Sequence, residues 1–436
     1  MPHVAFVPFT GLRVREQELL ALGMSLPGLS ERAGAIGQLP ALGLLTLAGQ
    51  LPPDWTCSYH PAAGEDQEEL LECVVAQRPT LVAVSALTAS VDEAYAFCAK
   101  LRWAGLPSVL GGLHATVCPD EAQRHFDAVV VGEGEPVWPQ VLAEAAADDL
   151  RPVYRSTRNY DLAQAPLPRL DLLGSQPQRL TVQTQRGCPL ACEFCGASRL
   201  LGRFREKPAA LIARELAAIA CAARRPLVEL ADDNTFAGPR DPDELFDVLA
   251  SARVRYFTEA DWRIGERPAL VRRLAESGCV QVLVGLESQV FRYPGMGEKQ
   301  AAWERILAAI AAIQAAGVAV NGCFILGADG ETRASLERLV DFVLASDLAD
   351  VQFTVQTPFP GTALWQRYRR EGRLLADRGW PYYTLFDVTY QPEGMSVDEL
   401  ERGFREALVA VFAAGPTARR REIRRRVWQK PSWRRS

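Results

Sequence analysis

Short apolar runs alternate with amphipathic stretches along almost the whole chain, and they fall into two blocks. In residues 1–150, runs rich in Val, Ala and Leu at His3–Phe9, Trp55–Tyr59, Leu81–Leu87, Pro107–Gly111 and Ala128–Gly132 predict five strands. Helical spacing near 41–50, 66–77, 91–104 and 136–147 separates them. Strands that alternate with helices predict a parallel sheet covered on both faces. The first block is therefore expected to be a flavodoxin- or Rossmann-like α/β domain, with its ligand edge at the carboxyl ends of the strands. Gly111, Gly112, Gly132 and Gly134 fall at those ends. A residue without a side chain there lets a bulky ligand approach the backbone.

Residues 151–178 hold four prolines and little periodicity, which reads as an interdomain linker. From residue 179 the alternation repeats six times. Strands are expected near 180–185, 226–231, 254–259, 280–286, 318–326 and 350–356, with helices near 208–222, 242–251, 267–277, 300–316, 332–346 and 362–373. Six such units over 179–375 predict a partial (β/α)6 barrel whose working face lies at the carboxyl ends of its strands. Residues 376–414 end in an amphipathic helix near 397–413, and 415–436 form a basic tail.

Composition adds bounds. A chain of 436 residues, 48% hydrophobic, can bury two cores. No apolar run approaches the ~18–20 residues needed to span a bilayer. The opening Met-Pro-His-Val-Ala-Phe reads as a strand rather than a signal peptide. Cys57, Cys73, Cys98, Cys118, Cys221, Cys279 and Cys323 stand singly, as in a reducing compartment, so a cytoplasmic protein is expected. Nine Lys or Arg and one Glu lie in 419–436, so the net charge of −5 divides into −13 for the body and +8 for the tail. Such a tail reads as a solvated extension. Its only aromatics are Trp428 and Trp433, too few for a nucleic-acid surface, although its charge suits an acidic partner.

The chemistry concentrates at 184–196, Thr-Gln-Arg-Gly-Cys-Pro-Leu-Ala-Cys-Glu-Phe-Cys-Gly, where Cys188, Cys192 and Cys195 follow the first barrel strand. Three thiolates at this spacing can each hold one iron of a 4Fe–4S cube and leave the fourth iron open to chelate a small molecule. A structural zinc site needs a fourth ligand. None is near, because His3, His60, His114 and His125 all lie in the first third of the chain.

This segment resembles the signature of the radical S-adenosylmethionine (radical SAM) enzymes. The resemblance implies that the open iron binds SAM, and that the reduced cluster cleaves it to a 5′-deoxyadenosyl radical that abstracts hydrogen from substrate. It also implies an electron donor of the flavodoxin or ferredoxin type. Further segments look similar to the family's. They are Asp232-Asp233-Asn234-Thr235-Phe236 after strand two, Gly285-Leu286-Glu287-Ser288 after strand four and Asn321 to Gly327 on strand five. On that resemblance Phe194, Asp232, Asp233, Glu287, Ser288 and Asn321 are candidate SAM contacts. Thr332 is a candidate helix cap and Glu331 reads as a helix N-cap or a surface charge. Glu259 and Asp261 alternate with Ala260, so both side chains are expected on one face of strand three. They are the candidate catalytic acid or base groups of the lumen.

The first block resembles the cobalamin-binding domain that precedes many radical SAM barrels. Ser85, Leu87, Gly111, Gly112, His114, Gly132 and Glu133 are the candidate contacts. The D-x-H-x-x-G segment of that domain is missing, since the first strand runs into Pro8-Phe9-Thr10-Gly11-Leu12-Arg13. Cobalamin is thus a candidate third cofactor, and a vacant domain is the alternative. His114 also reads simply as a loop histidine that caps a turn.

Two reaction classes follow. With cobalamin, the resemblance implies methyl transfer to an unactivated carbon. Without it, it implies dehydration or rearrangement of a small polar, natural-product-like substrate such as an amino sugar. A tRNA-modifying enzyme and a non-catalytic SAM or cobalamin sensor are further alternatives.

Overall fold

The computed structural model describes residues 1–11, 13–30, 39–62, 67–174 and 179–429, apart from the side chains of Ser198 and Arg199. Leu12, residue 66 of an expected helix, the end of the expected linker at 175–178 and the tail beyond 429 with Trp433 lie outside the described residues.

Six strands form the first sheet: β1 (His3–Phe9), β2 (Thr56–Tyr59), β3 (Leu81–Ala86), β4 (Ser108–Gly111), β5 (Ala128–Val131) and β6 (Val153–Arg155). They pair in the order β2-β1-β3-β4-β5-β6, all parallel. Strand alternation splits β1 and β3 between two cores. Ala5, Val7, Val82 and Val84 pack on one face with Phe97. Val4, Phe6, Leu81 and Ala83 pack on the other with Trp138. The strands are buried on both sides, which is why they read as continuous apolar runs.

The expected linker is corrected at its start. Val153–Arg155 adds a sixth strand beside β5, with Val130 opposite Tyr154. The ring of Tyr154 is buried there and its hydroxyl donates to Glu144 at 2.6 Å. The following segment lies on the first domain as well, through Arg169 N donating to Leu45 O at 3.1 Å.

The second sheet begins with β7 (Arg179–Val182). After it come the short strands β8 (Gln185–Arg186) and β9 (Arg205–Glu206), which form an antiparallel ribbon. Then follow β10 (Leu227–Leu230), β11 (Arg255–Ala260), β12 (Cys279–Glu287), β13 (Ala319–Leu326) and β14 (Asp350–Val355). The parallel order is β14-β13-β12-β11-β10-β7. Among the described residues β7 and β14 do not pair, so the barrel is open on one side.

Local signals set the barrel helices. Pro268 starts the helix Pro268–Glu276, where its missing N–H costs nothing. Thr332 caps the helix Arg333–Ala345 in a reciprocal box with Ser335.

The basic tail is the second correction. Residues Ala414–Trp428 form a helix that closes the lower mouth of the barrel instead of a solvated extension. Ile423 and Val427, one turn apart, bury against Ala319 and Ala349. Arg424 pairs with Asp350 at 2.9 Å. Arg420 is buried, with its guanidinium 5.2 Å from the centre of the Phe412 ring and a hydrogen bond to Val411 O at 2.7 Å. The apolar spacing wins over the charge because the arginine stems pack while their heads find partners. Among the described residues no helix is long and apolar enough to cross a membrane.

Candidate active site

Cys188, Cys192 and Cys195 lie on the loop that leaves β8, at the carboxyl ends of the barrel strands. Cys192 is buried and the other two are half-buried. The three thiols are electrostatic neighbours of one another. Burial pushes the Cys188 thiol up, and it pushes Cys192 up to about 12 even though Lys299 opposes the shift. Thiols held this way become thiolates when a metal takes the proton's place. Among the described residues, no three His, Cys, Asp or Glu side chains converge on a single-ion site. The donor set fits the cluster.

The loop after β12 holds this cysteine loop from outside. Ala191 N donates to Gly295 O at 3.2 Å and Glu193 N to Pro294 O at 3.0 Å. Gly295 has φ +84, and a Cβ there would collide with the backbone of Ala191. The Phe194 ring meets Tyr293 edge-on with centroids 4.7 Å apart. Behind them Arg367 grips Glu193 and Asp329 at 2.9 and 2.6 Å. Tyr293 and Gly295 escaped the sequence reading because nothing in their spacing marks them.

The candidate SAM residues divide by what their side chains touch. Asp232 is buried and accepts from Thr184 N at 2.8 Å, Thr184 Oγ1 at 2.5 Å, Gln185 N at 3.1 Å and Thr235 Oγ1 at 3.2 Å. These bonds tie the end of β10 to the start of the cluster loop. Its neighbour Asp233 is exposed, without a side-chain hydrogen bond among the described residues. The surrounding protein and the charge of Asp232 push its carboxyl up to about 6.

Glu287, in the left-handed region at φ +58, pairs with Lys299. Gly285 leaves room for that pair, since a Cβ would strike both side chains. Burial would lower the Lys299 ammonium, but Glu287 outweighs it and the pKa rises. Lys299 is a largely buried cation beside Glu287 that the sequence reading missed, for it ends a short turn without pattern.

Ser288 donates to Glu331 at 2.5 Å. Glu331 is corrected from a surface charge to a buried group that also accepts from Gly327 N at 2.8 Å. Asn321 is buried in the lumen wall, and its Oδ1 has no hydrogen-bond partner among the described residues.

The expected carboxylate pair of strand three is separated. Glu259 faces the lumen cavity beside Glu229 and Asn321. Burial, with Asp233 and Glu229 adding to it, pushes its carboxyl up to about 8. Asp261 instead caps the turn Trp262–Glu266 and holds Arg263 at 2.8 Å. The strand ends at Ala260, so the alternation that placed both on one face stops one residue too soon.

Between the domains lie two cavities of about 630 and 300 Å³ that share Ala41, Ser85, Gly112, Leu113 and Leu200. The larger is walled by Leu87 and His114 from the sheet edge, by Gly196 just past Cys195, and by Phe359 and Leu385. The smaller reaches under Gly111, Gly132 and Glu133. Leu87, Leu113 and Leu385 expose 54%, 43% and 38% of their surface, which marks an apolar wall awaiting a ligand. The loop after β1 adds Thr10, Gly11 and Arg13, and Arg13 is paired with Glu93 at 2.9 Å. Small residues at the strand ends and an apolar wall fit a flat, bulky ring system.

His114 does not cap a turn. It sits buried on the helix Leu113–Val117, 3.3 Å from the Tyr95 hydroxyl and edge-on to Trp380 at 5.2 Å. Burial lowers its pKa against the pull of Glu121. Glu133 accepts from Arg186 at 2.5 Å, Arg205 at 2.8 Å and Tyr160 N at 2.6 Å.

Residues 182–343 match the radical SAM superfamily and residues 33–142 the B12 binding domain. The chain is 27% identical over 437 residues to an uncharacterised methyltransferase of Pyrococcus horikoshii, covering 90% of this chain and 92% of that one. It is 23% identical over 336 residues to the bacteriochlorophyllide d C-12(1)-methyltransferase of Chlorobaculum tepidum, covering 74% and 73%. Its fold is similar to that of the cobalamin-dependent S-adenosylmethionine radical enzyme OxsB with aqua-cobalamin bound. The TM-score is 0.68 at 15% identity, over 92% of this chain and 66% of that one. The chain belongs to the radical SAM superfamily, in the branch whose barrel follows a B12-binding domain, and is an enzyme whose cofactors are a 4Fe–4S cluster, SAM and cobalamin.

Proposed function

We propose that the protein is a cobalamin-dependent methyltransferase that transfers a methyl group from SAM to an unactivated carbon of a small-molecule substrate. The observation that carries this reading is the larger interdomain cavity. The carboxyl edge of the first sheet forms one wall, and Gly196 and Leu200, just past the last cluster cysteine, form another. One chamber thus serves both cofactor domains. The methyltransferase names of relatives that span both domains support the same reading.

In this reading Cys188, Cys192 and Cys195 hold three irons. Asp233, Glu287 with Lys299, and Asn321 face SAM, while Asp232 and Ser288 position the loops that carry them. Glu259 presents a protonated carboxyl to the lumen near neutral pH. Phe194, packed on Tyr293, walls the cluster from solvent. Bound cobalamin supplies a carrier for the methyl group, and the chain's part is to orient it, exclude water and bring the substrate close. The apolar wall at Leu113, Phe359 and Leu385 favours a substrate with an apolar surface over an amino sugar. A flavodoxin- or ferredoxin-type donor supplies the electrons.

The test is anaerobic reconstitution with and without hydroxocobalamin, followed by metal analysis and incubation with SAM and reductant. The expected result is about four irons and one cobalt per chain, with S-adenosylhomocysteine formed only when cobalamin is bound. Iron without cobalt, with 5′-deoxyadenosine formed and no S-adenosylhomocysteine, would return the choice to dehydration or rearrangement. S-adenosylhomocysteine formed without cobalamin would keep methyl transfer and remove cobalamin from it.

A further inference from the structure

We infer that Arg186 is a positioning residue that couples occupancy of the B12-binding domain to the cluster loop. The inference rests on the cofactor seats assigned above. Arg186 ends β8, two residues before Cys188. Its guanidinium leaves the barrel and enters the first domain. There it meets Glu133 at 2.5 Å and Glu135 at 2.7 Å, both on the turn after β5. Gln183 at the end of β7 accepts from the same group at 3.0 Å. Arg205, on the partner strand of the ribbon, takes the other oxygen of Glu133 at 2.8 Å. Two arginines of one domain therefore grip two carboxylates of the other.

The gripped turn is itself a cavity wall. Glu133, Glu135 and Arg186 all line the smaller interdomain cavity, together with Gly132. On its sheet side the turn is anchored by Gly132 N, which donates to Thr116 Oγ1 at 3.0 Å. The turn is thus fixed at one end and tied at the other to the residue that launches the cluster loop. All four charged groups are largely buried, with side chains 9–16% exposed. A forked arginine so enclosed has few alternative positions, because leaving its carboxylates strands buried charge. A ligand seated against this turn restricts the carboxylates, then the guanidinium, then the approach to Cys188. By linkage, a filled cluster site must favour the ligand by the same factor.

The experiment measures that factor through binding. Equilibrium dialysis against hydroxocobalamin, with bound cobalt as the readout, gives the affinity of chain with and without a reconstituted cluster. The reciprocal measurement is the equilibrium iron content against a graded chelator, with and without cobalamin. The expected wild-type ratio is about tenfold in both. In Arg186→Met both ratios fall to near one, although iron is still incorporated. Arg186→Lys keeps the charge without the fork and stays below half the wild-type ratio. Glu135→Gln, which leaves Glu133 on both arginines, gives an intermediate ratio and carries the test if Arg186→Met does not fold. Cobalt bound equally with and without the cluster in the wild type would overturn the coupling alone. A ratio unchanged in the variants would overturn the role of Arg186. No cobalt bound at all would overturn the cofactor seat and the coupling with it.

Discussion

Asp232 and Asp233 are neighbours in the chain and opposites in circumstance. The wall behind the cluster loop, to which Asp232 belongs, has its polar groups spent on each other: four donors on Asp232 and two arginines on Asp329. In front of it, among the described residues, Asp233 and Glu259 have no side-chain hydrogen bond and the Asn321 Oδ1 has no partner. Both regions carry the same residue types at strand ends, and only their partners tell scaffold from site. A buried carboxylate with several hydrogen bonds, each worth about 1.5–3 kcal/mol when charge-assisted, holds structure, although burial still raises the Asp232 carboxyl. One without them drifts toward its neutral form and remains available to a ligand.

The most severe break in this contrast is at the cluster itself. Cys192→Ser removes the buried ligand of the three and is expected to leave the protein without a complete cluster. The 5′-deoxyadenosine formed under reducing conditions should drop by about a thousandfold or more, the scale of losing an essential group. Gly295→Ala is a sharper form of the same test, because every ligand stays and only the clamp on Ala191 is forced away. It should incorporate iron but lose it to a chelator faster than the wild type. Equal rates would remove the loop after β12 from the account.

Next comes the pair that names the contrast. Asp232→Asn puts an amide NH2 where donors already converge, and should lower the unfolding free energy by about 2–4 kcal/mol in urea titrations. Asp233→Asn should not lower it, since it removes a carboxylate that the surrounding protein and Asp232 disfavour, yet weaken SAM binding to the cluster-loaded protein. Reversed outcomes would exchange the roles of scaffold and site.

How much of this was legible in the sequence follows from the same physics. Both parallel sheets were, because a strand buried on both faces must be largely apolar, as the runs at β1, β3, β12 and β13 are. The cysteine loop was, because its ligand spacing is local. The sixth strand of the first sheet was not: three residues beside four prolines carry no period, and Val153–Arg155 pairs because β5 offers an open edge. The closing helix at Ala414–Trp428 was obscured by its charge, since Ile423 and Val427 are a thin stripe among arginines. Asp261 was misplaced by one residue, where a strand ended before the alternation did. Lys299 and Tyr293 act through tertiary neighbours from loops that have no pattern.

The smallest expected effect is also the most specific to the lumen. Glu259 has its carboxyl raised to about 8 by burial, reinforced by Asp233 and Glu229, while Lys299 pulls the other way. In the unfolded chain it titrates near 4.5. Between these values the native state holds a proton that the unfolded chain has released. Stability must therefore fall as pH rises through this window, by at most ~1.4 kcal/mol per pH unit. The slope will be smaller than that, because the side chain borders a cavity that admits water. Glu259→Gln keeps the shape and cannot ionise. Its stability relative to the wild type should rise between pH 5 and 8 and level off above, as measured by urea unfolding at three pH values. Parallel curves would mean that Glu259 titrates as a solvated acid. It would then carry no buried proton, and Asn321 and Asp233 alone would define the open face.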